Sequence, residues 1–133
     1  AQLMRHEGLR LKSYIDTVGK LTIGYGRNLD DVGITHDEAS YLLDGDIDRT
    51  VKGLVARLPW VLELDAVRQA VLVNMAFNMG VNGLLGFTRT LRAIQELRFK
   101  EAAEQMLQSK WATQTGQRAR ELAAQMRTGT WQF

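Results

Sequence analysis

The sequence predicts an α+β fold, mostly helical, in which a small N-terminal β-hairpin lobe is joined by a long helix to a larger helical lobe. Three observations predict it. Polar and apolar side chains alternate over residues 11–25, one long helical pattern covers 36–58, and shorter helical patterns follow. We expect a single domain over residues 1–133. Its predicted parts are a small lobe at about 9–35, a connecting helix at about 36–58, and a helical lobe at about 60–133 that also takes in a helix at 2–7.

The N-terminal part is predicted to hold a short helix and a hairpin. The helix covers residues 2–7, and the hairpin strands cover 11–15 and 20–25, which are rich in β-branched and aromatic side chains. Gly24 and Gly26 in the second strand indicate either a bulge or the close approach of a ligand to the backbone.

The remaining elements are predicted from helix caps and breakers. Thr35 and Glu38 form a capping box at the start of the connecting helix, and Pro59, the only proline, follows its end. Asp65 caps a helix over 66–79 that is apolar on nearly every side, so we expect it at the buried centre of a helical bundle. Shorter helices are predicted at about 88–97, 100–109 and 116–127, with Thr88 and Thr115 as caps.

Composition excludes several classes of protein. The absence of cysteine excludes a disulfide framework and thiolate chemistry, and it suits a reducing cytoplasm. No apolar stretch approaches the roughly 20 residues that a membrane span needs. The net charge of +2 is uneven, with −3 over residues 1–66 and +5 over 67–133. A basic half fits contact with a polyanion such as the cell envelope or nucleic acid, but charge alone favours a solvated helical surface.

Glu7 is the first candidate for chemistry. It lies in the last turn of the predicted first helix, where the negative end of the helix dipole disfavours an ionised carboxylate. Together with partial burial, this position would keep a proton on the carboxyl group near neutral pH, as a general acid requires. The other interpretation is an exposed glutamate that happens to precede Gly8, and position alone favours that interpretation.

Asp16 lies at the predicted hairpin turn and Thr22 on the strand that follows. An aspartate at a turn can cap the turn's own backbone amides, which explains Asp16 without any function. If Asp16 faces Glu7, the two carboxyl groups form the protonated and ionised pair that glycoside hydrolysis uses. Thr22 would then hold a water against Asp16, although β-propensity alone also explains a threonine there.

Asn74 and Asn78 lie one turn apart on the apolar helix and therefore share a face. We expect these amides to be buried, and buried amides must be hydrogen-bonded to loop backbone or to a ligand. Hydrogen bonding to a bound sugar and hydrogen bonding within the fold explain the two asparagines equally well.

The segment that contains Glu7, Asp16 and Thr22 closely resembles the active-site segment of the T-even phage lysozymes. The spacing of these three residues, in that context, is a specific signal. The resemblance extends over almost the whole chain, and the segments that carry it are 6–12, 16–17, 22–26, 64–68, 74–80, 86–88, 109–111, 114–115 and 127–131.

The resemblance implies a two-lobed lysozyme-like fold and hydrolysis, with inversion, of the β-1,4 bond between N-acetylmuramic acid and N-acetylglucosamine in bacterial peptidoglycan. Glu7 matches the general acid, Asp16 the carboxylate that activates or stabilises, and Thr22 the group that holds the attacking water. Positions that line the family's saccharide cleft are matched by Asn28, Phe77, Thr90 and Gln105, with Asn74 and Asn78 nearby and Arg118 at the arginine that pairs with the acid.

The sequence departs from the family pattern in the small lobe. Arg27 stands where the family usually has a histidine that pairs with an aspartate, matched here by Asp46. Because arginine does not titrate, we expect this pair to lose less stability between about pH 6 and 8. The segment between Asn28 and Asp37 is also shorter than in the family.

The leading hypothesis is an endolysin that needs no metal and no cofactor, because two carboxylates and a water suffice. We expect a monomer that binds bacterial peptidoglycan but neither nucleic acid nor, stably, a membrane. Since no signal peptide is visible, it would accumulate in the host bacterial cytoplasm and reach the wall through a separate pore. A lysozyme domain cut from a phage tail protein would use the same chemistry.

Two other classes stay open as alternatives. One is a non-catalytic peptidoglycan-binding module, against which the complete set of Glu7, Asp16 and Thr22 argues. The other is a basic helical nucleic-acid binder, for which a net charge of +2 is small.

Overall fold

The computed structural model describes residues 1–133 and confirms the α+β class, with eight α-helices and one small antiparallel sheet. The chain divides into two compact units, Ala1–Leu43 and Asp44–Phe133. None of the helices combines the length and the apolar character that crossing a membrane requires.

The first unit begins with helix α1 and continues into a three-stranded sheet. Helix α1 is Gln2–Glu7, and the strands are β1 (Arg10–Ile15), β2 (Leu21–Gly24) and β3 (Arg27–Asn28). The strand order β1-β2-β3 places β2 at the centre of the sheet. The first two strands are the predicted hairpin. The third was not predicted, because two residues are too few to show an alternating pattern.

Two glycines shape the turn from β2 into β3, one at the last residue of β2 and one just before β3. Gly24 and Gly26 both have positive φ, 70° and 76°. The register of the β1–β2 pair shifts between Arg10 and Tyr14, so the irregularity in the ladder lies in β1. The bulge that the glycines suggested in the second strand is therefore wrong, because these residues serve the turn, where left-handed backbone favours glycine.

The first unit buries very little apolar surface. Thr22, at 3% exposure, is its one buried side chain. Apolar residues of the same unit, among them Leu11, Ile15 and Val18, are exposed. Backbone pairing and polar contacts therefore carry more of this unit's stability than hydrophobic burial does.

Helix α2, His36–Arg57, begins at the predicted capping box. The Thr35 amide donates to Glu38 Oε1 at 2.8 Å, and the Glu38 amide donates to Thr35 Oγ1 at 3.1 Å. The helix ends before Pro59, where a short 3-10 helix, Pro59–Glu63, begins. The sequence prediction of a helix over about 36–58 is confirmed.

The second unit contains the end of α2, the 3-10 helix and six further helices. They enclose a core whose fully buried members include Leu54, Leu72, Met75, Ile94 and Met106. Asp65 Oδ2 accepts from the Arg68 amide at 3.0 Å, which confirms the predicted cap of the first of these helices. The helices are α3 (Ala66–Met79), α4 (Val81–Leu85), α5 (Thr88–Gln95), α6 (Phe99–Leu107), α7 (Lys110–Thr115) and α8 (Gln117–Thr128).

Helix α3 buries only one face, so the prediction that it lies at the buried centre of the helical bundle is wrong. Its buried residues are Val71, Leu72, Met75 and Ala76. Asn74, Phe77 and Asn78 are exposed, so the expected burial of the two amides is also wrong. An apolar residue composition overestimates burial, because more than half of a protein's surface is itself apolar.

Two predicted helix caps are wrong. Thr88 is the first helical residue of α5 and provides no cap. Thr115 ends α7, where its hydroxyl donates to the Trp111 carbonyl at 2.9 Å. The cap of α7 is Ser109, whose Oγ accepts from the Ala112 amide at 3.1 Å. Because α7 has six residues, too few for a periodic pattern, its last threonine was assigned to the start of the next helix.

Candidate active site

Glu7 is the last residue of α1, as predicted. Gly8 ends the helix with a φ of 71°, and its amide donates to the Met4 carbonyl at 3.0 Å. The Glu7 side chain is exposed, so the predicted partial burial is wrong. The short helix has no buried residue of its own that would draw its last turn into a core.

The carboxylate of Glu7 is positioned against the turn between β2 and β3. A Cβ atom added at Gly26 would lie 2.6 Å from Glu7 Oε2, closer than such atoms approach in proteins. The close approach to the backbone that the glycines suggested is therefore made by the side chain of Glu7. Position 26 has two reasons to be glycine, the contact with Glu7 and the positive φ.

Asp16 caps the turn that joins β1 to β2. Its Oδ1 accepts from the amides of Val18 at 3.0 Å and Lys20 at 2.8 Å. Its Oδ2 accepts no hydrogen bond from the chain. The structural interpretation of Asp16 is therefore confirmed, and one carboxylate oxygen is left for another partner.

Thr22 is fixed by the same backbone residue that anchors Asp16. The Thr22 hydroxyl donates to the Lys20 carbonyl at 2.9 Å, and the Asp16 amide donates to the same oxygen at 2.9 Å. Lys20 thus holds Asp16 and Thr22 in a fixed relation. The sequence reasoning missed Lys20, because a contribution made by backbone atoms leaves no signal in the side chain.

Asn28 pairs with Thr22 across the sheet, on β3. Its side chain forms a local turn, in which Oδ1 accepts from the Asp31 amide at 2.9 Å and Nδ2 donates to Asp31 Oδ2 at 3.0 Å. Asn28 and Gly26 line one surface pocket of about 780 Å³. The backbone of β3 therefore presents Asn28 beside the turn that contacts Glu7.

Arg27 pairs with Glu38, and the predicted pairing with Asp46 is wrong. Two guanidinium nitrogens of Arg27 donate to the two Glu38 oxygens, each at 2.7 Å. Asp46 pairs with Arg49, one helical turn away on α2. The hydrogen bond from Arg27 and the amide of Thr35 lower the pKa of Glu38 to about 2. Because the capping box already fixes the Glu38 side chain, Glu38 is a better-placed partner for Arg27 than Asp46 is.

The predicted substrate-binding residues of the second unit fall into small groups. Arg118 Nε donates to Asn74 Oδ1 at 2.8 Å. Trp111 Nε1 donates to Asn78 Oδ1 at 2.8 Å, and this partner was not predicted. Phe77 lies on the same helix as the two asparagines, with 40% of its surface exposed.

Thr90 and Gln105 line a second surface pocket of about 350 Å³, formed where α5 and α6 lie side by side. The structure therefore brings these two predicted residues together, as it does Asn74 and Arg118. The predicted pairing of Arg118 with Glu7 stays a prediction.

Comparisons with known proteins agree over nearly the whole chain. Residues 4–127 match the family model described as phage lysozyme. "Probable T4-type lysozyme 1" and "Probable T4-type lysozyme 2" of Dictyostelium discoideum are 31% and 30% identical, and each match covers 93% of this chain and 90% of the relative. "Pre-baseplate central spike protein Gp5" of Enterobacteria phage T4 is 32% identical over 96% of this chain, which spans 27% of that protein.

The first of these alignments runs over 153 positions although it takes in 93% of a 133-residue chain. That relative therefore has residues with no counterpart here. A family model matched from residue 4 to residue 127 shows that this chain belongs to the phage lysozyme family and is a lysozyme-type hydrolase.

Proposed function

We propose that this lysozyme hydrolyses the β-1,4 bond between N-acetylmuramic acid and N-acetylglucosamine in bacterial peptidoglycan. Glu7 acts as the general acid, and Asp16 and Thr22 position the attacking water. The observation that carries this assignment is the shared anchoring of Asp16 and Thr22 on the Lys20 backbone. This anchoring leaves Asp16 Oδ2 and the hydroxyl oxygen of Thr22 free to accept a hydrogen bond.

The anchoring determines how a water would be held. The one hydroxyl proton of Thr22 is taken by the Lys20 carbonyl at 2.9 Å, so the hydroxyl oxygen can only accept from a water. Asp16 Oδ2 is also an acceptor. A water that donates one proton to each oxygen turns its lone pair away from both, towards the anomeric carbon of a bound sugar. Asp16 removes the proton as the water attacks, or stabilises the charge that develops on the sugar.

Glu7 supplies the proton that the leaving sugar oxygen needs. Glu7 is the last residue of α1, and its exposed carboxyl group is open to a bound glycan strand. Gly26 limits where the carboxyl group can lie. An inverting mechanism requires room for the water, which corresponds to a separation of about 6.5–9.5 Å between the two carboxyl groups.

The remaining predicted residues are proposed to bind the glycan strand of peptidoglycan. Asn74 and Arg118 form one hydrogen-bonded group of amide and guanidinium donors. Side-chain amides and hydroxyls are the groups that sugars recognise, and an exposed aromatic face packs on sugar rings. The proposed set is Asn28, Asn74, Phe77, Asn78, Thr90, Gln105 and Arg118, in an enzyme that acts as a monomer.

The test is the clearing of a purified peptidoglycan suspension, followed by turbidity and by the release of reducing ends. We expect Glu7→Gln to abolish clearing, because glutamine cannot donate the proton, while its fold and its binding to the wall remain. Glu63→Gln is the matched control, since Glu63 is an exposed glutamate that makes no ion pair or side-chain hydrogen bond with the chain. Clearing by Glu7→Gln at the wild-type rate would remove Glu7 from the mechanism.

Two further readouts separate the finer parts of the proposal. The sugar at the new reducing end identifies the bond, and N-acetylmuramic acid is expected there. Nuclear magnetic resonance of early products gives the anomer, and the α anomer is expected for inversion. Binding to the wall without clearing by the wild type would instead support a binding module. Accumulation in the host cytoplasm and release through a pore stay predictions.

A further inference from the structure

The peptide group between Lys20 and Leu21 connects the anchor of Asp16 and Thr22 to the opposite side of β2. Its carbonyl oxygen accepts from the Asp16 amide and from the Thr22 hydroxyl, each at 2.9 Å. Because a trans peptide group is planar, its N–H points away from its C=O and turns together with it. Whatever holds the Leu21 N–H therefore also sets the direction of the Lys20 carbonyl.

The Leu21 N–H is held by the side chain of Asp30, nine residues further along the chain. It donates to Asp30 Oδ2 at 2.7 Å, a distance typical of a hydrogen bond to a carboxylate. The Asp30 side chain makes no other hydrogen bond with the chain. A carboxylate bonded to the N–H of a peptide group also polarises its C=O, which strengthens the bonds that the carbonyl accepts.

The backbone after β3 places Asp30 opposite the start of β2. The Leu29 amide donates to the Leu21 carbonyl at 2.7 Å, which continues the pairing of the two strands by one residue. The Val32 amide then donates to the Asn28 carbonyl at 3.2 Å, so the chain turns back immediately. Asp30 is thus held in a tight turn, from which its carboxylate reaches the Leu21 amide.

The neighbouring acid, Asp31, does not share this contact. It pairs with Lys20 Nζ at 3.2 Å, and 54% and 41% of the two side chains are exposed. An exposed ion pair at the end of a flexible lysine contributes little and restrains the side chain rather than the backbone. Of the two adjacent aspartates, Asp30 is therefore the one that acts on the peptide group.

We propose that Asp30 is a positioning residue, which keeps Asp16 and Thr22 directed at the attacking water through the peptide group that it holds. This inference rests on the proposed function, in which those two side chains hold the water. A solvent water can replace the carboxylate as an acceptor, but it does not fix the peptide plane. Once the plane rotates, the two acceptors no longer converge on one water, so the chemical step slows while the glycan strand still binds.

The test compares Asp30→Ala with Asp30→Asn by reducing-end release from soluble glycan strands. Asparagine keeps an oxygen that can accept from the Leu21 amide, whereas alanine has none. We expect Asp30→Ala to lower kcat about tenfold with KM unchanged, because a small misplacement of a catalytic group slows the chemistry. Asp30→Asn is expected to retain most of the wild-type kcat.

The matched control is Thr35→Ala, in the same unit. It also removes one side-chain hydrogen bond to a backbone amide, that of Glu38 at 3.1 Å, but none to the Lys20–Leu21 peptide group. We expect both alanine variants to lower the unfolding temperature by a similar amount and only Asp30→Ala to lower kcat. Equal losses of kcat in the two variants, or no rescue by Asp30→Asn, would overturn the proposal.

Hydrogen exchange of the Asp16 amide, measured by nuclear magnetic resonance, gives a readout that does not depend on activity. Since this amide donates to the Lys20 carbonyl, Asp30→Ala should accelerate its exchange about tenfold more than Thr35→Ala does. Equal exchange in the two variants would also overturn the proposal. If the exchange difference is found but the wild type releases no reducing ends, the proposed function is refuted and the link from Asp30 to the anchor of Asp16 stands.

Discussion

The carboxylate of Glu7 lies so close to the backbone of Gly26 that no side chain fits between them, since a Cβ at position 26 would be 2.6 Å from Oε2. The residue proposed to donate the proton is thus placed by a turn that follows it by nineteen positions in the chain. Any substitution at this glycine must move the acid.

Gly26→Ala is expected to reduce activity by one to two orders of magnitude, about the effect of misplacing a catalytic group by an ångström. It must displace Glu7 as well as place alanine at a φ of 76°. The backbone strain alone is expected to cost about 1–2 kcal/mol of unfolding free energy. Peptidoglycan clearing and thermal unfolding, measured on the same samples, separate the two effects.

The control is Gly33→Ala, in the same unit. Gly33 has a φ of 67°, but a Cβ there would meet nothing within 4 Å. It shares the backbone strain and lacks the contact with Glu7. Equal losses of activity in both variants would show that the contact with Glu7 has no role.

Asp16→Asn and Asp16→Ala are both expected to lose activity, but only Asp16→Ala is expected to lose stability. The asparagine oxygen can still accept from the amides of Val18 and Lys20, so the turn keeps its cap, whereas alanine loses it at a cost of about 1 kcal/mol. Neither variant supplies the negative charge for the water. Thermal unfolding and reducing-end release measure the two effects, and an active Asp16→Asn variant would contradict the role given to the carboxylate.

The Arg27–Glu38 pair is expected to stabilise the fold at neutral pH and to lose this effect in acid. The pKa of Glu38 is lowered from 4.5 to about 2, so its stabilisation is complete above 4.5 and is lost as the pH falls towards 2. Glu38→Gln keeps a capping-box acceptor for the Thr35 amide but removes the charge. Urea unfolding should show that the wild type has a higher free energy of unfolding than Glu38→Gln. We expect this difference to be constant from pH 6 to 8 and to disappear between about pH 4.5 and 2. A difference of constant size down to pH 2 would contradict the pairing.

Arg68→Met is expected to lower the free energy of unfolding by about 2–3 kcal/mol without a specific loss of catalysis. The Arg68 side chain donates to the carbonyls of Met126 at 2.6 Å and Arg127 at 3.1 Å, and it lies 3.7 Å above the Phe99 ring. The two hydrogen bonds give partners to carbonyl groups at the end of α8, which have none within the helix. The matched variant Arg120→Met removes an exposed arginine and should change stability by less than about 0.5 kcal/mol, as urea unfolding can verify.

Interactions confined to a few neighbouring residues could be predicted from the sequence. The capping box of Thr35 and Glu38 and the cap at Asp65 each join residues three positions apart, so the local sequence suffices to identify them. Helices α4 and α7, with five and six residues, could not, because fewer than two turns show no period.

The candidate site divides in the same way. Glu7, Asp16 and Thr22 were identified through their spacing and the family resemblance. The support given by the Lys20 backbone could not be predicted, because it acts through atoms that every residue has. The sequence marked Gly26 as a place of close approach to the backbone but did not identify Glu7 as the group that approaches it. The partner of Arg27 was wrong because matching by family position ignored a carboxylate that the local capping box had already placed beside it.

The scarcity of buried side chains in residues 1–43, where Thr22 alone is enclosed, has a dynamic consequence. Segments with few apolar contacts open locally at a lower free energy than a packed core does. Amide hydrogens of β1 to β3 are therefore expected to exchange with deuterium well before those of α3 and α8. On warming, Glu7, Asp16 and Thr22 would lose their arrangement while the helical unit is still native, so inactivation would precede the main calorimetric transition.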